Sequence, residues 1–190
     1  MTLTPQPALE LFRTCITGDF DNQKQVAAER ASGTQVHPFA RHINRIADAK
    51  IQNAPPRNGF WLIEESYYTY PDGSEKINHH LFFFEEVHPE AVRLYAYQLP
   101  ATLPMSQLTN DNPNLVINFL SLQISPRFAP AEYGLKAGTF TLNATNDWGN
   151  GLRFTLIETI NRDRLEVMEL LEKDGTRLTP YDTPILYERH

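Results

Sequence analysis

The chain has 190 residues, 41% of them hydrophobic, with 17 lysines and arginines against 23 aspartates and glutamates. The formal charge of −6 and the lack of a basic run argue against a nucleic-acid partner, because proteins that bind nucleic acids carry clustered positive charge. The length suits one domain with a sizeable core, and we expect residues 1–190 to form a single domain.

The start of the chain lacks the basic region and apolar stretch of a signal peptide, and no segment approaches the roughly twenty apolar residues that span a bilayer. We therefore expect a cytoplasmic protein without a membrane partner. Cys15 is the only cysteine, so no intrachain disulfide can form. Cys15 lies in an apolar helical pattern, which favours buried packing over a role as nucleophile.

Two short helices are predicted near the N-terminus. Thr4-Pro5 is a helix entry, and apolar residues then recur at helical spacing until Gly18. Residues 18–22 have the composition of a turn, in which Asp21 can cap a second helix over residues 22–31. Residues 37–52 fit a helical stripe and a strand face equally well, so the pattern leaves their structure open.

Three strands are predicted between Gly59 and Pro100. Residues 60–68 lead through Pro71-Asp72-Gly73 into residues 76–86, and residues 88–90 connect these to residues 92–99. Aromatic residues lie on both faces of the first two strands, with polar groups among them. This pattern suits a wall with a core on one side and a ligand cavity on the other, and a sheet packed on both sides explains it equally well.

The rest of the chain predicts a second antiparallel meander. Residues 101–137 form a crossing with a short helix over residues 113–122 and no regular structure beyond Pro126. Strands follow over residues 138–145, 152–160, 164–171 and 184–189. A mainly β fold of about eight antiparallel strands with short connections predicts a sheet that closes on itself, because closure removes exposed edges. The interior of such a barrel can hold one small ligand.

Two ordered motifs in the chain are similar to those of a known family. The first is Gly18-Asp-Phe-Asp-Asn22-Gln-Lys-Gln25, and the second is Gly59-Phe-Trp-Leu-Ile-Glu64-Glu65-Ser-Tyr67. They resemble the Gly-x-Phe-Ser/Asp-Asn-x-x-Gln start and the Tyr-x-Glu-Gln-x-Tyr strand of the CpcT/CpeT chromophore lyases. A later Gly138-Thr-Phe140 and an Asp174-Gly175 turn keep the same order, so the resemblance covers most of the chain.

The resemblance implies a lipocalin-like (calycin-type) antiparallel up-and-down β-barrel with short N-terminal helices. Such a barrel binds a linear tetrapyrrole (bilin) and directs its thioether attachment to a cysteine of a phycobiliprotein β subunit. The resemblance also favours a strand over residues 42–51. Carried over by position, Asn22, Gln25 and Tyr67 are expected to bind the ligand and Glu64 matches the motif glutamate, while Glu65 replaces the motif glutamine.

The strand after the second motif departs from the family. Where such lyases usually carry Pro-Tyr-Arg-x-Arg, this chain has Glu75-Lys-Ile-Asn-His79-His80, so the arginines that would pair with bilin propionates are missing. Lys76 and the two histidines substitute only in part for a bidentate guanidinium. The alternative function is therefore a non-catalytic, lipocalin-like carrier of a small apolar or tetrapyrrole-like ligand.

Several side chains are candidates for the site. Glu64 and Glu65 are candidate catalytic acids or bases for adding a thiol to a bilin, with charge pairing or surface exposure as the alternative. Consecutive strand residues face opposite ways, so at most one of His79 and His80 faces a cavity, and His80 is our candidate. Arg153 is a candidate anion binder or a cross-strand charge partner. The aromatic residues that can stack on a flat ligand are Trp61, Tyr95, Tyr97 and Trp148.

Other chemistry has no support in the sequence. The histidines show none of the familiar ligand spacings, so we expect no metal site, and no phosphate loop or nucleophile elbow points to a cofactor or a hydrolase. The expected partners are a linear tetrapyrrole or similar small ligand and a phycobiliprotein β subunit, with a homodimer as one possible assembly.

Overall fold

The computed structural model describes residues 7–190, which contain two α-helices and fourteen strands. The helices are α1 (Ala8–Ile16) and α2 (Gln23–Ser32). The strands, in chain order, are β1 (Gly18–Asp21), β2 (Phe39–Ile46), β3 (Ile51–Gln52), β4 (Gly59–Thr69), β5 (Glu75–His88), β6 (Ala91–Gln98), β7 (Ile117–Asn118), β8 (Gln123–Ile124), β9 (Ala131–Lys136), β10 (Thr139–Gly149), β11 (Leu152–Ile160), β12 (Arg164–Lys173), β13 (Thr176–Arg177) and β14 (Ile185–Arg189).

Ten of these strands form a closed antiparallel barrel. Its strand order is β11, β10, β9, β6, β5, β4, β2, β1, β14 and β12, and β12 pairs with β11 to close the ring. Closure gives each of the ten strands two neighbours, which removes the exposed edges of an open sheet. The predicted mainly β, lipocalin-like barrel with short N-terminal helices is confirmed.

The first meander forms as its turn chemistry predicts. β4 pairs with β5 from Gly59 opposite Glu85 to Thr69 opposite Glu75. In the connection, the Asp72 carboxylate accepts a hydrogen bond from the Ser74 backbone N–H at 2.9 Å, and Gly73 adopts a φ of +84°. Only glycine takes that φ without strain, so the Pro-Asp-Gly sequence fixes the register of the hairpin.

Helix α1 closes one end of the barrel. Its apolar stripe is buried, and the ring of Phe12, with no exposed surface, lies among Phe84, Tyr133 and Phe140 at centroid distances of 4.7–4.9 Å. These three rings belong to the inward faces of β5, β9 and β10. The helix therefore completes the main core at this end.

A second apolar cluster covers the outside of β4 and β5. The segment over residues 100–124 crosses the barrel wall there, and its Leu108, Leu115 and Ile117 pack against Trp61 and Phe83. The outward face of the meander is thus a packed core, while its inward face lines the barrel interior. This arrangement matches the wall with a core on one side and a cavity on the other.

Two of the ten barrel strands were not predicted. The turn expected over residues 18–22 is wrong, because β1 lies between β2 and β14 and pairs with both, which outweighs its turn-like composition. The irregular structure expected after Pro126 is also wrong, because β9 pairs with β6 and β10 despite Gly134. These two strands account for the difference between the eight expected and the ten observed in the barrel.

Other differences are smaller. The helix expected over residues 113–122 is wrong, because strand β7 pairs with β3 and only a single 3-10 turn, Phe119–Ser121, follows it. The ambiguous residues 37–52 form strand β2 and then a 3-10 turn, Asp48–Lys50. The predicted helix entry at Thr4-Pro5 lies outside the described residues. Within residues 7–190, neither helix has the length and apolar character to cross a membrane.

Candidate functional site

The barrel interior holds a cavity of about 370 Å³. Ile16 of α1 and Phe84 of β5 line its floor, at the end that the helix closes. At the opposite end, its lining includes Lys76 and Arg127, both of which are exposed to solvent. The cavity is therefore closed at one end of the barrel and reaches the surface at the other.

Three carboxyl groups line the cavity. Glu64 lies on β4, Glu158 on β11 and Glu169 on β12. In the β11–β12 ladder Glu158 is opposite Val167 and Glu169 is opposite Leu156, so the two acids are diagonal neighbours on one face. Glu64 approaches from the other side of the ring, because β2, β1 and β14 separate β4 from β12.

The interior disfavours the charged form of these acids. Burial raises the pKa of Glu64, Glu158 and Glu169, and raises that of Glu158 to about 8. The negative charge of Glu64 adds to the increase at the other two, while Lys76 opposes it at Glu169. The hydroxyl of Tyr133 donates to Glu158. At neutral pH most Glu158 side chains are protonated, so the cavity contains a proton donor.

His42 lies beside Glu64 and is uncharged. Burial lowers the pKa of His42 to about 3, and its side chain is 4% exposed. Its Nε2 lies 3.2 Å from the hydroxyl of Tyr68 and 2.9 Å from that of Tyr187. Its Nδ1 has no hydrogen-bond partner and lies 3.7 Å from a Glu64 oxygen, beyond hydrogen-bond distance.

Aromatic rings line the path from the mouth to the acids. His80 is opposite Glu64 in the β4–β5 ladder and stacks on Phe82 with a centroid distance of 5.4 Å. The cavity walls exclude water from part of the His80 ring, and this desolvation lowers the pKa of His80 and favours its neutral form. Trp148 stacks on Phe154 at 5.0 Å, and its indole N–H donates to the Arg127 carbonyl at 2.6 Å. The mouth thus combines flat rings with the cations of Lys76 and Arg127.

Of the predicted catalytic residues, the structure places only Glu64 in the cavity. Glu65 faces outward and is 5% exposed beneath the crossing segment. Its carboxylate accepts hydrogen bonds from the Tyr67 hydroxyl at 2.5 Å and from the Asn110 backbone N–H at 2.8 Å. These contacts attach the segment over residues 100–124 to the barrel wall.

Of the predicted ligand-binding residues, His80 and Trp148 line the cavity. Tyr97 borders the cavity, but its ring lies on the outward face, where it packs on Trp61 at a centroid distance of 4.8 Å. Tyr67 and Tyr95 face outward with Trp61, and the hydroxyl of Tyr95 donates to Glu85 at 3.1 Å. Arg153 is exposed on the outside of β11, opposite Glu172 of β12. The structure does not bring the side chains of Trp61, Tyr67, Tyr95 and Arg153 to the cavity.

Asn22 and Gln25 join elements outside the cavity. The buried amide of Asn22 donates to the Pro38 carbonyl at 2.9 Å and accepts from the Ala40 N–H at 2.8 Å. The Gln25 amide donates to the Pro184 carbonyl at 3.0 Å and accepts from the Leu186 N–H at 3.0 Å. The family-like N-terminal motif thus connects α2 to β2 and β14.

Sequence reasoning missed Glu158, Glu169, His42 and the tyrosines around them as site residues. A signal was present, because on each of three strands one acid follows or interrupts a run of apolar residues on the same face. The alternate residues on these faces are Phe60, Leu62 and Glu64 on β4, Leu156, Glu158 and Ile160 on β11, and Val167, Glu169 and Leu171 on β12.

Within residues 7–190, no three histidine, cysteine, aspartate or glutamate side chains converge in a way that could hold a metal ion. Comparisons with protein-family models, with curated proteins and with solved structures found no match. The cavity and its side chains are therefore the features from which a function can be inferred.

Proposed function

We propose that the barrel binds an open-chain tetrapyrrole of the bilin class in its cavity and assists its thioether attachment to a phycobiliprotein cysteine. The observation that carries the proposal is the Glu64 carboxyl group, which lies inside a cavity lined by flat rings. The pyrrole N–H groups of a tetrapyrrole require acceptors in an apolar site, and Glu64 supplies one. Phe82, Phe154 and Trp148 provide surfaces against which the conjugated rings pack.

The size of the cavity agrees with a ligand that is only partly enclosed. A volume of about 370 Å³ is at the lower end for small-molecule sites. A chain of four pyrrole rings exceeds this volume, so one end of it projects from the mouth beside Lys76 and Arg127. Those two cations can pair with the propionates of the ligand. A projecting ring is accessible to a cysteine on another protein.

The chemistry requires one proton donor and no nucleophile from this chain. The partner's thiol loses its proton, its sulfur bonds to the ethylidene carbon of the bilin, and the π electrons of that double bond move into the ring system. A proton then adds to the ring carbon, so the reaction is a net addition without an oxidant or a leaving group. Glu64, whose pKa burial raises, is the acid that we assign to the enclosed rings: its proton on a ring nitrogen draws the π electrons inward, and the proton that the thiol released adds to the ring carbon at the mouth.

The first test is a titration of the purified protein with phycocyanobilin and with biliverdin, followed by visible absorption. We expect a red shift and a sharper band, because an enclosed tetrapyrrole is extended and immobilised. Glu64→Gln should weaken binding at least about tenfold, which corresponds to 1.4 kcal/mol. Glu132→Gln, which alters an exposed acid on the outward face of β9, should bind as the parent does. If the visible absorption of neither bilin changes in the presence of the protein, the proposal is rejected.

The second test separates a lyase from a carrier. Protein loaded with phycocyanobilin is mixed with an apo phycobiliprotein β subunit, and covalent adduct is detected by bilin fluorescence after denaturing electrophoresis. An adduct that forms faster than in the absence of this protein supports the lyase. Binding without an adduct supports the carrier. The inward face of β5 also favours a carrier, because it has Lys76, Asn78 and His80 on the strand where the lyases that this chain resembles usually have arginines.

A further inference from the structure

The acids of the cavity have no cationic partner inside it. Among the described residues that line the cavity, Lys76 and Arg127 are the permanent cations. Neither lies within 4.0 Å of the carboxylates of Glu64, Glu158 or Glu169, and each instead lies near the mouth. A positive charge brought in from outside would supply the missing counter-charge and stabilise the ionised form of each of these groups.

His42 gives a second, independent sign of an unfilled position. The side chain is 4% exposed, and both tyrosine hydroxyls within reach are on its Nε2 side. Whichever ring nitrogen carries the hydrogen, Nδ1 has no partner, and the Glu64 oxygen beside it is too distant at 3.7 Å. Buried polar groups are nearly always paired, so a polar ligand group that reached this nitrogen would gain a hydrogen bond there.

The walls also suit a positive charge. The rings of Phe82, Phe84, Tyr133 and Phe154 line the same cavity, and the face of an aromatic ring attracts a desolvated cation. An anionic group placed at the same depth would face three carboxyl groups and no lysine or arginine.

We propose that the cavity selects ligands that carry a protonated basic nitrogen on a flat apolar body, and that this nitrogen lies between Glu64 on one side and Glu158 and Glu169 on the other. The inference rests on the proposed function in one respect, namely that the barrel interior is the ligand site. It goes further because it assigns the charge of the ligand and its orientation, with the cationic end inward and any acidic group at the mouth.

The test uses three probes of nearly equal shape that differ in charge, namely 2-naphthylmethylamine, 2-naphthalenemethanol and 2-naphthoate. Calorimetric titration at pH 7.5 should show the amine binding at least about tenfold more tightly than the alcohol. The carboxylate should bind most weakly. Affinity for the alcohol equal to or above that for the amine would overturn the inference.

Matched variants locate the charge. Glu64→Gln and Glu169→Gln should each lower affinity for the amine about tenfold and leave affinity for the alcohol within about twofold. Glu132→Gln serves as the control on the outside of the barrel, and thermal unfolding verifies that each variant is folded. Unchanged affinity for the amine in both cavity variants would also overturn the inference.

The outcome separates this inference from the proposed function. Binding of biliverdin without any preference for the amine would reject the cationic site and leave the bilin proposal standing. Preference for the amine without bilin binding would reject the bilin and retain the cationic site. If no probe and no bilin binds, both are rejected.

Discussion

Glu158 is an acid in a position that proteins usually give to an apolar residue. It lies between Leu156 and Ile160 on the inward face of β11, and burial raises its pKa to about 8. The groups that face it are Tyr133 on β9, Glu64 on β4 and Glu169 on β12. An acid whose pKa is higher in the folded state than in the unfolded state binds more protons when folded. The free energy of unfolding therefore falls as pH rises between about 4.5 and 8.

Glu158→Gln should reduce this pH dependence. Glutamine cannot ionise, so the variant should gain stability relative to the parent as pH rises, by at least about 1.4 kcal/mol at pH 8, the equivalent of one pH unit of pKa difference. The measurement is urea denaturation at intervals from pH 5 to pH 8. The free energy of unfolding of the variant should still fall somewhat as pH rises, because the pKa values of Glu64 and Glu169 are also raised.

The control for this experiment is Glu90→Gln, at an exposed position in the turn between β5 and β6. Its stability curve should run parallel to that of the parent across the whole pH range. If the Glu158→Gln curve were also parallel to the parent curve, the carboxyl would be ionised at neutral pH in the folded protein, and its assignment as a proton donor would fail.

At the level of single residues, alternation predicts which side chains share a face and does not predict which face is inward. The sequence alone indicates that Glu64 and Glu65 point in opposite directions. Selecting Glu64 as the inward one requires the crossing segment, whose Asn110 N–H bonds Glu65. That contact joins residues 45 positions apart, and no local pattern encodes it.

The N-terminal motif functions as a connection between elements. Asn22 immediately precedes α2, and both atoms of its side-chain amide bond backbone groups of the segment that enters β2. Gln25, one turn further on, makes the corresponding two bonds at the start of β14. These four bonds hold α2 against two strands that are adjacent to β1 in the barrel.

Asn22→Ala should therefore lower stability without changing ligand affinity. The substitution leaves the buried Pro38 carbonyl and Ala40 N–H without partners, and we expect a loss of roughly 2–4 kcal/mol in the free energy of unfolding. Urea denaturation measures the loss, and a biliverdin titration of the folded variant measures affinity. Weaker binding at unchanged stability would instead support the ligand-binding role that the family resemblance implies.

Asn143→Ala is the matched control, because Asn143 is exposed on the outward face of β10. Its effect should remain within about 0.5 kcal/mol, as for most surface substitutions.

At the level of elements, sequence was sufficient where local chemistry decides the structure. The β4–β5 hairpin follows from Asp72 and Gly73, and Leu152–Ile160 follows from its β-branched and aromatic content. β1 could not be predicted in this way, because its four residues are extended only through pairing with β2 and with β14. Phe20, for example, lies opposite both His42 and Arg189. Such a strand depends on contacts that form only when the barrel closes.

The whole molecule divides its tasks between the two ends of the barrel. At the closed end, α1 inserts Phe12 among rings from three strands, and these side chains are almost completely buried. At the open end, half-buried Trp148 and Phe154 line the cavity beside Lys76 and Arg127. We expect substitutions at the closed end to change stability and substitutions at the open end to change binding.

Phe12→Ala and Trp148→Ala test this division as a pair. Removal of the Phe12 ring leaves a void among Phe84, Tyr133 and Phe140, which should lower the free energy of unfolding by about 3–5 kcal/mol. Phe12→Leu, which keeps most of the volume, should lose less than half as much. Trp148→Ala removes a ring that is partly in solvent and should lose only about 1 kcal/mol.

Ligand affinity should show the opposite order. Trp148→Ala should weaken biliverdin binding by about tenfold, because it removes a stacking surface at the mouth, where the ligand enters. Phe12→Ala, assayed at a temperature where it is folded, should bind within about threefold of the parent, since the acids and the mouth remain in place. If Phe12→Ala lost affinity while Trp148→Ala retained it, the ligand would occupy the closed end, and the orientation assigned to the cavity would be reversed.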